Sequence, residues 1–327
     1  MIASLSAVTM ALLALAGFAF DALVGEPRRW HPLVGFGRWA KWLEHALNPD
    51  YAASTPPASR RCPIVWRTRV SGVAAWALAV VPPVVLSIVL MRVLPPAAGW
   101  ALHAALLWFA LGARSLADHI VPIEAALAAG DLPRARMLTS RVVTRDLSDA
   151  GETDVARAAV ESALENGNDA IFGALFWFAI AGGPGALAFR LVNTLDAMWG
   201  YRTPRLLHFG WAAARLDDLA NYVPARLTAL SYALGGDWRT ALYCWRTQAG
   251  AWDSPNAGPV MASGAGSLNV SCGGTARYHG ADEARPALGA GSSPAAADVG
   301  RAIALVRRAI GIWFAAFALL AVSSTLF

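Results

Sequence analysis

Five runs of this chain are almost wholly apolar and contain no Asp, Glu, Lys or Arg: residues 2–20, 71–91, 93–113, 170–189 and 309–327. Each is 19 to 21 residues long, the length at which a helix spans the hydrocarbon core of a bilayer. In lipid every backbone N–H and C=O must be satisfied within the segment or by protein around it. A chain with five such runs is therefore expected to fold as an all-α polytopic membrane protein, with the lipid bilayer as its first partner. Only 15% of its 327 residues are charged, against about 25% in soluble domains. Collagen, coiled coil, disordered tail and disulfide-rich scaffold are excluded on the same ground.

The runs cover less than a third of the chain, so the remainder must form a sizeable polar layer that carries the chemistry. Cys62, Cys244 and Cys272 are far apart and form no CxxC pair, which argues for a reduced compartment and against zinc or redox chemistry. The first run has no basic segment before it and no small-residue cleavage site, and reads as a retained span rather than a signal peptide.

The net charge of +5 does not point to nucleic acid, because the arginines are not interleaved with aromatics in a recognition pattern. It points to topology. Loop 21–69 holds Arg28, Arg29, Arg38, Lys41, Arg60, Arg61, Arg67 and Arg69, and no basic residue precedes the first run. By the positive-inside rule that loop is cytoplasmic and the N-terminus is outside. Spans 71–91 and 93–113 then leave and return around Arg92, Pro95 and Pro96. Run 170–189 is broken by Gly182-Gly183-Pro184-Gly185 and followed by Arg190, Arg202, Arg205 and Arg215. A full crossing would strand those arginines outside, so a re-entrant or buried hairpin is expected. Span 309–327 exits. Four full spans and one hairpin leave Arg92 as the single basic residue outside.

The expected division is an N-terminal membrane region over 1–113, a cytoplasmic catalytic region over 114–308 that includes the hairpin, and a C-terminal span over 309–327. Residues 48–61 read as a loop. Helices are expected over 114–129, 132–145 and 154–164, and over 205–222 with a stop near Pro224. The Gly/Ala/Ser/Pro-rich stretch 253–300 reads as mostly loop, and no run of alternating strands is evident.

Seven of the 22 acids fall in residues 146–169. Arg157, Glu161, Glu165 and Asp169 are four apart and share a helix face. That face is either a solvated, salt-bridged one or, since its neighbours are apolar and it leads into run 170–189, a boundary site whose oxygens gather Mg²⁺. A second cluster, Arg215, Asp217, Asp218, Asn221 and Arg226, puts two carboxylates and an amide beside guanidinium groups. Structural salt bridging accounts for it, and so does a Mg²⁺–phosphate ligand. Asn193 and Asp196, in NTLD, read as a helix cap or a site. Asn256, in SPNAG, sits in a turn whose backbone N–H groups can hold an anion. His31, before Pro32, is the histidine best placed for chemistry. His103 lies within a span, where a functional role competes with a helix–helix hydrogen bond. No P-loop, GxGxxG after a strand, or GxSxG elbow is present.

Taken in order, these segments resemble the CbiB or CobD family of cobalamin-biosynthesis membrane proteins, adenosylcobinamide-phosphate synthase. The likeness runs through Asp21, Gly25-Glu26-Pro27, His31-Pro32, Arg145-Asp146, RAAVESALEN from Arg157, Asp169, Gly183-Pro184-Gly185, NTLD at 193–196, Gly200-Tyr201, FGWAAARLDDLANYVPARLTAL from Phe209, SPNAG at 254–258 and Gly273-Gly274. Departures from the family's usual pattern fall at Glu26, Arg190, Ala197, Trp252-Asp253 and the small-residue run 263–267. The resemblance implies ATP- and Mg²⁺-dependent amide formation between adenosylcobyric acid and aminopropanol phosphate or ethanolamine phosphate. It implies a bacterial inner membrane with the active region facing the cytoplasm, and other cobalamin-pathway enzymes as possible partners. Carried onto this chain, it suggests Glu165, Asp217 and Asp218 for the metal. Glu161 or Asp196 would be the catalytic base. Arg157, Asn193, Arg215, Asn221, Arg226, Asn256 and His31 would hold substrate and phosphate. A non-catalytic membrane sensor of the AmpE type and a corrinoid-binding scaffold are the rival classes.

Overall fold

The computed structural model describes residues 5–26, 32–51, 62–278 and 280–326. His31 and most of the expected loop 48–61 lie outside the described residues. In chain order the helices are α1 (Ala7–Val24), α2 (Pro32–Leu47), α3 (Cys62–Val93), α4 (Pro96–Ala110), α5 (Ala113–Ala128), α6 (Leu132–Thr139), α7 (Glu152–Gly167), α8 (Gly173–Trp199), α9 (Trp211–Gly235), α10 (Trp238–Gln248), α11 (Ala257–Leu268) and α12 (Ala296–Leu326). A π-helical turn, Asn168–Phe172, joins α7 to α8. Four short strands, β1 (Ser271–Cys272), β2 (Ala276–Tyr278), β3 (Ala281–Glu283) and β4 (Leu288–Gly289), pair antiparallel as β1 with β4 and β2 with β3. The protein is thus all-α, and among the described residues five helical runs are long and apolar enough to cross a membrane: Ala7–Val24, Val65–Val93, Pro96–Ala128, Glu152–Trp199 and Ala296–Leu326.

The chain divides into two compact units that are interleaved in sequence rather than consecutive. The first is built mainly from Leu12–Leu111 and Ala174–Asn221, the second from Gly112–Gly173 and Tyr222–Phe327. In the first, Ala40 and Leu43 of α2, Ala75 and Ala79 of α3, and Leu187, Leu191 and Leu195 of α8 make the core. Trp199 closes it edge-on against Phe209, ring centroids 5.1 Å apart. In the second, α7 packs against α5, α11 and α12. Its alanines and α11's small residues are the reason the contact is close. A Cβ placed on Gly264 would stand 2.7 Å from a Leu164 methyl carbon. Phe172, in the π turn, stacks on Trp313 of α12 with centroids 5.5 Å apart.

Three local expectations are corrected. Helix α6 ends at Thr139, not Arg145, because residues beyond it are drawn into contacts with α7 and β2 described below. Helix α9 does not stop near Pro224 but runs through it to Gly235. Proline has no N–H for the carbonyl four residues back, and the indole Nε1 of Trp177 donates to that Ala220 carbonyl instead, at 2.9 Å. The stretch 253–300 holds α11 as well as the four strands, since Gly, Ala and Ser make a helix where burial rewards thinness. The expected break in 170–189 is present, as two non-helical residues, Ala181 and Gly182, between two helical stretches. Gly182 takes φ +61°, and a Cβ there would lie 2.5 Å from the His103 ring. The N–H of Gly183, which the interruption leaves without a helical acceptor, donates to Nδ1 of His103 at 2.8 Å. Of the two roles open to His103, the structure shows the hydrogen-bonding one. Pro184, needing no N–H, sits in the first turn of the resumed helix.

Candidate functional site

The resumed part of α8 carries Arg190, Asn193 and Asp196 at three-residue spacing, and the expected cap at Asn193 lies in mid-helix. In the first unit this face meets α9. Asn193 Nδ2 donates to Asp217 Oδ1 at 3.4 Å, and Asn221 Nδ2 donates to Asp217 Oδ2 at 3.1 Å. One carboxylate therefore accepts from two neutral amides. Asn221 is buried. Asp218, the next residue, is half-buried and pairs with exposed Arg215 at 3.7 Å. Burial pushes its carboxyl above the ordinary aspartate range, against the opposing pull of Arg215. Arg190 approaches Glu26, at the end of the segment following α1, at 3.8 Å. Asp196 folds over Gly200, where a Cβ would come within 2.1 Å of its Oδ1.

The second unit organises its charges differently. Glu161, 2% exposed, accepts from Arg145 Nη2, from the backbone N–H of Gly273 at 2.7 Å and from Arg285 Nη1 at 2.8 Å. Arg285 Nε also donates to the Gly274 carbonyl at 3.1 Å. Burial alone would lower the Arg285 guanidinium, but its hydrogen bonds and charge pairing with Glu161 raise it above its usual range. A carboxylate so saturated by donors is a weak proton acceptor. Its evident work is to clamp the 273–285 loop and the 140–151 segment onto α7; the N–H of Asp146 donates to the Arg277 carbonyl at 2.8 Å. Arg157 pairs with Asp154 at 2.7 Å. Glu165 is one turn beyond Glu161 on α7, and the π turn then shifts the register so that Asp169 accepts from Asn168 at 2.9 Å. Asn168 in turn accepts from Thr228 Oγ1 at 2.9 Å.

Arg226 and Asn256 are brought together. Arg226 Nη1 donates to Asn256 Oδ1 at 2.8 Å and Nη2 to the Pro255 carbonyl at 2.9 Å. Its guanidinium carbon stands 3.7 Å from the Tyr222 ring centroid, and burial lowers its pKa. The turn before α11 does not offer free N–H groups for an anion: those of Asn256 and Ala257 are given to Ser254 Oγ. Arg285, Gly273 and Thr228 were missed as site components, because no spacing links Glu161 to a guanidinium 124 positions away. The paired glycines 273–274 were the one available signal.

The oxygen-bearing side chains that the structure brings together, Asn193, Asp217 and Asn221, with Asp218 adjacent in sequence, are of the type Mg²⁺ takes, which binds through one or two carboxylates and keeps waters and phosphate oxygens as its other ligands. Among the described residues no three His, Cys, Asp or Glu side chains form a self-sufficient metal cage, as an ion of that kind does not need one. Glu165 belongs to the other unit.

A family model described as CobD/Cbib protein matches residues 14–306. The chain is 53% identical over 295 residues to the cobalamin biosynthesis protein CobD of Chromobacterium violaceum, covering 90% of this chain and 91% of that one. It is 53% identical over 299 residues to the protein of the same name from Stutzerimonas stutzeri, covering 91% and 94%. Likeness to the Mycobacterium tuberculosis protein, also named CobD, is 41% over 306 residues, covering 91% and 92%. No solved structure matches.

Proposed function

The chain belongs to the CobD/Cbib family of cobalamin biosynthesis, and on that premise we propose that it is an amide-forming membrane ligase. It joins the carboxylate of adenosylcobyric acid to the amine of aminopropanol phosphate or ethanolamine phosphate, with ATP as co-substrate. A carboxylate has no leaving group, so its oxygen first takes the γ-phosphoryl group and ADP departs. The amine nitrogen then bonds to the acyl carbon, phosphate leaves, and the ammonium proton passes to a base.

The observation that supports this reading is the Asn193–Asp217–Asn221 constellation, assembled from two segments that share no local reason to meet. Asp217 and Asp218, with the amide oxygens of Asn193 and Asn221, would hold Mg²⁺. The ion would neutralise phosphate charge and align the transferred group. Arg190 and exposed Arg215 supply guanidinium groups for phosphate oxygens. Asp196 takes the role of base, and Glu161 becomes a positioning residue. The charge asymmetry of the loops supports a bacterial inner membrane with this face in the cytoplasm, where ATP is found.

Purified protein incubated with ATP, Mg²⁺, adenosylcobyric acid and aminopropanol phosphate should form the amide and release one ADP and one phosphate per product. No product under saturating substrates, from protein that is folded and inserted, would overturn the assignment.

A further inference from the structure

The first unit contains a cavity of about 360 Å³ beside the turn between α3 and α4, toward the lower end of the range of small-molecule sites. Its apolar lining includes Leu5, Ile88, Met91, Leu94 and Pro184, and its polar lining is Arg92, Trp100 and His103. We propose that this cavity binds the head group of an anionic glycerophospholipid, one with a phosphodiester and no ammonium group. Arg92 holds the phosphate, and the acyl chains lie along α3.

The hydrogen-bonding inventory carries the inference. Arg92 offers guanidinium N–H groups, Trp100 an indole N–H and His103 an imidazole N–H. Nδ1 of His103 accepts from the Gly183 N–H at 2.8 Å, so the neutral ring carries its proton on Nε2. Among the described residues that line the cavity there is no Asp, Glu, Asn, Gln, Ser or Thr to supply a side-chain oxygen. A lining of donors and one positive charge matches a ligand rich in acceptor oxygens and negatively charged. The ammonium of a phosphatidylethanolamine would find no carboxylate there. The apolar remainder of the lining matches an amphiphile rather than a free phosphate.

Position and shape fit the same ligand. Arg92 is the single charged residue in 71–113, and it stands where a span meets the headgroup layer. Trp100 is 49% exposed and lies about one turn into α4, at the depth where indoles settle at that interface. Val85, Leu86 and Val89, one and two turns before Arg92 on α3, are exposed and give the acyl chains an apolar track. The wall includes the α8 interruption: Pro184 lines the cavity, and His103 is buried against Gly182 and Gly183. Gly99 also lines it. That residue is buried, yet a Cβ on it would meet nothing within 4 Å, so the room in front of its Cα is the cavity itself.

Full-length protein in detergent, freed of lipid and then titrated, tests this by native mass spectrometry and thermal melting. The probes are phosphatidylglycerol, phosphatidylethanolamine with the same chains, and glycerol phosphate without chains. Phosphatidylglycerol should bind at least about tenfold more tightly than either of the others and should raise the melting temperature. Arg92→Gln should lose the preference for phosphatidylglycerol. Gly99→Leu, which fills the cavity with a good helix former, should lose the tight lipid and the rise in melting temperature. Both variants should melt like the parent when no lipid is added. Three results would each overturn the proposal. Equal binding of the two lipids by the parent would remove the charge match. Glycerol phosphate binding as tightly as lipid would make this a site for a soluble anion. A parent-like preference in both variants would place the lipid elsewhere on the protein.

Discussion

Glu161 and Asp217 are both carboxylates enclosed by hydrogen-bond donors, yet the donors differ in charge. Glu161 receives two guanidinium groups and a backbone N–H, so its charge is more than cancelled where it stands. Asp217 accepts from two neutral amides, which orient its oxygens without themselves adding an opposing charge. The first arrangement makes a clamp between distant pieces of chain. The second, on the function proposed above, serves as a ligand set for a cation. Both residues belong to motifs that look alike on a helical wheel, and only their partners separate scaffold from chemistry.

The sharpest way to break this contrast is Glu161→Gln. It leaves two guanidinium groups, each with a side chain 11% exposed, without their counter-charge, for which the expected loss is about 3 kcal/mol of stability, seen as a large fall in melting temperature and early proteolysis of the 273–285 loop. A protein of normal melting temperature would end the description of Glu161 as a clamp.

Asp217→Asn is the complementary change. Shape and hydrogen-bonding capacity are nearly kept while the charge is lost, so the melting temperature should move little. Turnover should fall by about 10²–10³, the range seen when a transition-state electrostatic contact is removed, with part of the loss recovered at high Mg²⁺. Equal turnover at equal Mg²⁺ would remove Asp217 from the metal set.

Asn221→Ala sharpens the comparison from the donor side. It removes one brace and leaves Asp217 charged, so the expected cost is about 1–2 kcal/mol, divided between stability and turnover. The double variant with Asp217→Asn should cost less than the sum of the two single changes. Strict additivity would mean the amide acts independently of the carboxylate.

Smallest is the effect of Asp218→Asn on stability in the absence of Mg²⁺. The Asp218 pKa is raised in the fold, mainly by burial, so the folded state holds this proton more firmly than the unfolded chain. Its contribution is favourable below the unfolded pKa and fades as pH rises through the folded one. The variant should be as stable as the parent at acid pH and more stable at neutral pH by about 0.5 kcal/mol or less. Thermal melts across that pH window without Mg²⁺ would show it, and a variant less stable at neutral pH would reverse the sign of the argument.

Much of the fold was legible because the controlling feature is local. Twenty residues without a charge are enough to specify a lipid-length helix, and five helical stretches among the described residues are long and apolar enough to cross a membrane, the one that contains run 170–189 being interrupted at Ala181 and Gly182. Asn193, Asp217 and Asn221 were also visible, as polar groups set at helical spacing. Pro224 misled, because its rescue by Trp177 comes from 47 positions earlier. The small residues of α11 misled too, since Gly and Ala signal loops until a neighbour such as Leu164 needs the room.

The sequence by itself therefore determined the all-α membrane class, the interruption at Gly182 and the inventory of charged groups, each a property of a few consecutive residues. The tertiary structure decided which charges cancel. Arg145 and Arg285 stand 16 and 124 positions from the glutamate they share, and the amide of Asn193 reaches across 24 positions to Asp217. Whether a buried carboxylate is neutralised or kept reactive depends on the charge of donors within about 3 Å. That distance is set by packing, and no spacing along the chain encodes it.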